Sequence, residues 1–173
     1  SNEKPKFSAV HFQTPFAIPT MTPKRPSVVR GLVVVCLLVG FAQVHALDLK
    51  RAVIVTPPNL SGPERKAVTM LVEEVEKRTE ARLPTMTAWP TSNVPVIAVG
   101  NRSTLREFAG PYAKEMLAVR KASGPEGYRL SVKRGAASSG VFVIGDDARG
   151  VLFGIGRLLR ELRMQPGGMT LAD

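Results

Sequence analysis

Histidine and cysteine supply most nucleophilic, acid–base and zinc chemistry, and their positions constrain this 173-residue chain more than any other feature. The two histidines are His11 and His45, and the one cysteine is Cys36, so residues 47–173 contain neither. A Ser/His/Asp triad, a Cys/His pair and the usual zinc ligand sets are therefore excluded from that stretch. No disulfide can form within it either. No catalytic residue, cofactor ligand or metal ligand is assigned from the sequence.

The remaining chemical candidates read more simply as structure. Asp146 and Asp147 are adjacent. Two catalytic carboxylates of a glycosidase must face one sugar across about 5–9.5 Å, which sequence neighbours do not readily do. One of them is expected to cap the following helix, and Asp147 is the structural assignment. Gly145-Asp146-Asp147-Ala148-Arg149-Gly150 has the glycine spacing of a phosphate-binding loop, but Val151 and Leu152 follow where Lys and Ser/Thr are needed. Gly154-Ile155-Gly156 lacks the third glycine of a dinucleotide fingerprint and falls inside a helical pattern. Trp89, the lone tryptophan, is a possible sugar contact, although half-buried packing is the commoner use of such a ring. Asn59-Leu60-Ser61 and Asn101-Arg102-Ser103 match glycosylation sequons.

The elements that hold these residues follow from periodicity. Leu49 to Val55 ends in a β-branched run and reads as a strand, stopped at Pro57-Pro58. Ser61 and Glu64 have capping-box spacing, with Pro63 in the first turn. A helix to about Arg78 is expected, because Val68, Leu71, Val72 and Val75 form one apolar stripe. Leu83–Ala88 and Val94–Val99 read as strands. Ser103 is expected to cap a short helix through Phe108, with a second short helix over Pro111–Val119. Tyr128–Lys133 alternates as a half-buried strand, and Gly140–Gly145 is a continuous apolar run. A last helix is expected from Ala148 to about Arg163, with Gly150, Gly154 and Gly156 bringing it close to the sheet. The expected class is α/β (α+β): a mixed, mostly antiparallel sheet with two main helices packed on one face.

Upstream, Met21 to Ala46 reads as a secretory signal peptide. Lys24, Arg25 and Arg30 precede an apolar run, Leu32–Ala42, and Val44-His45-Ala46 places small residues before a cut. That run is about 11 residues, against the about 20 of a membrane span. Val33-Val34-Val35 before Cys36 does not resemble a lipoprotein signal. Residues 1–20 read as an extension upstream of the natural start at Met21. The expected location is secreted or periplasmic, with no membrane association after cleavage. The segment 1–46 holds five basic residues and one acidic one. Residues 47–173 therefore keep 19 basic and 13 acidic side chains, a net +6 of the chain's +10. Those positives are dispersed among acids rather than gathered on one face, so a nucleic-acid partner is not expected.

The segments Ala52–Pro58, Glu64–Glu80, Val94–Ser103, Gly124–Gly135 and Gly140–Leu162 together resemble the N-terminal accessory domain of secreted bacterial glycoside hydrolases, as in β-N-acetylhexosaminidases and α-glucuronidases. Pro125-Glu126-Gly127-Tyr128-Arg129-Leu130 is similar to that family's GY-x-L-x-V strand. The run from Gly145 through Gly150, Phe153 and Gly154 to Leu158-Leu159 is similar to its glycine-rich turn and helix. The resemblance implies that Gly145, Gly150 and Gly154 are structural. It also implies that residues 47–165 form a non-catalytic domain packing against a (β/α)8 barrel that carries the catalytic acids. Residues 166–173 would then begin the linker to that barrel, which lies outside this chain. Phe153, Leu152, Met164 and Met169 are expected on the face toward it. The alternative is a free-standing secreted module that binds a glycan or a protein.

Overall fold

The computed structural model describes residues 46–119, 124–135 and 138–172, all within one compact unit, Gln43–Asp173. The expected extension 1–20 and the signal peptide, apart from Ala46, lie outside the described residues. In chain order the strands are β1 (Leu47–Asp48), β2 (Val53–Val55), β3 (Thr85–Met86), β4 (Val96–Asn101), β5 (Tyr128–Arg134), β6 (Ser139–Gly145), β7 (Leu162–Gln165) and β8 (Gly168–Leu171). The helices are α1 (Gly62–Thr79), α2 (Leu105–Phe108), α3 (Ala113–Ala118) and α4 (Ala148–Glu161). Single 3-10 turns, Arg102–Thr104 and Gly110–Tyr112, lead into α2 and α3.

The expected α/β class holds, with α1 and α4 side by side on one face of the main sheet. Strand direction is distributed differently from expectation. The main sheet has the order β3-β2-β4-β6-β5; its β3-β2, β2-β4 and β4-β6 pairs are parallel, and only β5-β6 is antiparallel. The other antiparallel pairs belong to a separate small sheet, β1-β8-β7. The physical reason is coverage. Interior parallel strands are buried on both faces and read as continuous apolar runs, whereas within the main sheet the alternating sequence belongs to the edge strand β5.

Coverage of both faces is visible residue by residue. Ile54, Ile97, Val99, Val141 and Val143 point into a core shared with Ala67, Leu71 and Val75 of α1 and with Val151, Ile155 and Leu158 of α4. Their neighbours Val55, Val96, Ala98, Phe142 and Ile144 point to the opposite face, where Leu105 and Phe108 of α2 and Met116 of α3 close a second core. The short helices are thus the third layer of the unit.

Of the three helical glycines Gly154 brings α4 onto the sheet, and Gly150 brings its first turn against the turn that precedes β5. A Cβ on Gly154 would lie 2.7 Å from Val143 Cγ1, and one on Gly150 would lie 2.1 Å from the Gly127 carbonyl oxygen. Gly156 faces open space, its nearest neighbour being Arg160 Nη1 at 3.9 Å, and plays no such part.

The end of the chain differs from expectation. Helix α4 stops at Glu161, because Leu162 turns extended and pairs with Leu171. Pro166 and Gly167 are the turn of a hairpin, Gly167 at φ +73°, a pairing suited to a type II turn. Residues 168–171 form the central strand of the small sheet rather than the start of a linker. Gly167 N–H donates to the Thr79 carbonyl (2.9 Å), giving the end of α1 one of the partners its last carbonyls lack. Met169, expected at the surface, is 1 % exposed and belongs to the core, because its strand alternates and its neighbours Gly168 and Thr170 take the outer face. Of the other three residues in the expected docking face, Leu152 and Met164 are half-buried and Phe153 is 43 % exposed.

Candidate functional site at the carboxyl edge of the parallel strands

The strand order reverses between β2 and β4. From β2 the chain passes through α1 to β3 on one side, and β4 then pairs on the other side of β2. The helix after β2 covers one face and the helices after β4 cover the other. In open α/β sheets this arrangement leaves a crevice beyond the carboxyl ends of the two strands, and ligands bind there. The crevice here lies between Ser61-Glu64, at the start of α1, and Asn101, at the end of β4.

That crevice is closed from within. Glu64 is 2 % exposed. Its Oε2 accepts from the Ser61 backbone N–H (2.9 Å) and from the Ser61 hydroxyl (2.6 Å), and its Oε1 accepts from Asn101 Nδ2 (2.8 Å). The Asn101 amide oxygen accepts from the backbone N–H groups of Ser103 (2.9 Å) and Thr104 (3.2 Å) and from the Ser103 hydroxyl (2.5 Å). A helix start favours a negative group near its free N–H donors. In many α/β proteins a ligand's phosphate supplies that charge; here Glu64 does.

The expected capping pair Ser61 and Glu64 meets at the start of α1, the Glu64 carboxyl reaching back to the Ser61 N–H and the Ser61 hydroxyl donating to that same carboxyl. The cap of the next turn is Asn101 and not Ser103, whose hydroxyl donates to it. In sequence Asn101 reads as part of the turn Gly100-Asn101-Arg102-Ser103 and as a sequon. The signal that could have found its role is an asparagine directly after a buried strand with Ser-Thr two and three residues on, an Asx-turn pattern.

A second cluster lies at the carboxyl end of β6. Asp147 caps α4 as expected: its Oδ1 accepts from Gly150 N–H (2.7 Å), and its Oδ2 accepts from Glu126 N–H (2.8 Å). Asp146 N–H donates to the Gly127 carbonyl (2.8 Å), and Arg149 pairs with Glu126 at 2.5 Å. Glu126 itself sits at φ +62°. Gly150 and Gly127 touch so closely that no side chain fits between them. The turn Pro125–Gly127 and the loop Gly145–Gly150 are thus one structural unit. The N–H groups of Glu126 and then Gly150 hold the Asp147 carboxyl below the usual carboxylate range. The two aspartates do not act as a facing pair, because the Asp147 side chain is spent on backbone donors.

Arg129 closes the far side of this edge. Its Nη2 donates to the Met116 carbonyl (3.1 Å) at the end of α3, while its Nε and Nη1 are buried without a hydrogen-bond partner. Burial first, and the nearby Arg102 second, lower its pKa from the ordinary guanidinium value, partly offset by Asp146.

Trp89 lies away from both clusters. It is half-buried on the second core, near-parallel to Phe142 (centroids 6.1 Å, 14°) and tilted against Tyr112 (5.9 Å). Gly110, at φ +52°, abuts the indole so closely that a Cβ there would come within 2.3 Å of Cδ2. Its place is that of a packing residue.

Among the described residues, no group of three or more His, Cys, Asp or Glu side chains could hold a metal ion, and no helix is long and apolar enough to cross a membrane. By sequence, the chain matches no protein-family model and no curated protein.

Proposed function

We propose that this chain carries the non-catalytic N-terminal domain of a secreted glycoside hydrolase. In this reading the domain supports a catalytic (β/α)8 barrel of the same parent protein, and the hydrolysis of polysaccharide takes place on that barrel. The observation that carries the proposal is the closed crevice. At the position where a sheet of this topology offers a ligand site, Glu64, Ser61 and Asn101 bind one another. The Glu64 and Asp147 carboxylates are spent at helix starts, and the stretch from residue 47 onward has no imidazole or thiol. The resemblance gains support from the second cluster. Its two most telling segments, around Gly127 and around Gly145–Gly150, are joined by the Asp146 N–H on the Gly127 carbonyl and by the Glu126 N–H on the Asp147 carboxylate.

The test is the coding sequence beyond codon 173. A continuing frame that encodes a barrel with paired acidic residues is the expected result, and an immediate stop would overturn the proposal. A glycan array separates the alternative. Binding that disappears in Trp89→Ala would favour a free-standing carbohydrate-binding module instead.

A further inference from the structure

We draw no further inference here: the strongest candidate, the apolar groove between edge strand β5 and the end of β8, lined by Leu130, Val132, Val141, Leu158 and Leu171, carries nothing because nothing in the structure shows what covers it.

Discussion

Asn101 and Glu64, 37 residues apart, share a 2.8 Å hydrogen bond that ties the end of β4 to the first turn of α1. The bond spans the point where the strand order reverses, so it joins the two halves of the main sheet's chain path. Removing the carboxylate strands three donors at once: Asn101 Nδ2, the Ser61 N–H and the Ser61 hydroxyl. Glu64→Ala is expected to cost about 2 kcal/mol, a fall in Tm of about 6–10 °C for a domain of this size. Asn101→Ala in the same background should add less than it costs alone, because the partners are shared. Calorimetry on the two single variants and the double variant checks this. Strict additivity would contradict the network.

The glycines of α4 give opposite expectations. Gly150→Ala drives a methyl into the Gly127 carbonyl, and both are backbone-anchored. It should destabilise by about 2–3 kcal/mol, as over-packing does. Gly156→Ala meets only open space and should stabilise by about 0.5–1 kcal/mol through helix propensity. Urea midpoints of the two variants should move in opposite directions.

Asp147 makes stability pH-dependent in a defined direction. Its folded pKa is depressed from the ordinary 3.8 by the N–H groups it accepts from. An acid whose folded pKa is lowered stabilises the fold above its unfolded pKa, and that contribution fades as the pH drops through the folded value. The contribution should be complete at pH 5 and above, and should decline from about pH 4 downward. Asp147→Asn should flatten the acid limb of a stability–pH profile relative to the parent. Equal slopes in the two proteins below pH 4 would count against the assignment.

The second core can be followed through the chain's one tryptophan. Gly110→Ala combines a strained positive φ with a clash against the indole. It should cost about 2 kcal/mol and shift Trp89 emission to the red as the ring is displaced toward water. Tyr112→Phe removes only the hydroxyl bond to the Ser138 carbonyl (2.8 Å), so it should cost about 1 kcal/mol and leave the emission unchanged. Fluorescence spectra with urea titrations distinguish the two.

Local signals were readable wherever one residue type settles a backbone problem. The Ser61–Glu64 spacing, the apolar stripe of α1 and the Asp147 cap all state their structural role within four or five residues. Strand direction could not be read that way. Val96–Gly100 and Val141–Gly145 are apolar on both faces, and a run of that kind looks the same in either direction. The choice between them depends on α1 crossing over to β3, a relation spread over more than 30 residues. The switch from α4 to β7 is hidden for a related reason. Leu162 to Gln165 continues the helical pattern, but the partner that draws it into a strand is Leu171 and its neighbours, beyond a Pro-Gly turn. The Glu64–Asn101 bond was invisible because each residue had a sufficient local explanation.

The central place of β8 in the small sheet sets where this unit can be cut. Its flanking strands β1 and β7 each bond to β8 and not to each other. Adjacent strands lie about 4.8 Å apart, so β1 and β7 are held at about twice that spacing by the strand between them. A polypeptide ending at Gln165 would leave a slot one strand wide, walled by unmatched backbone groups, and would take the buried side chains of Met169 and Leu171 out of the core.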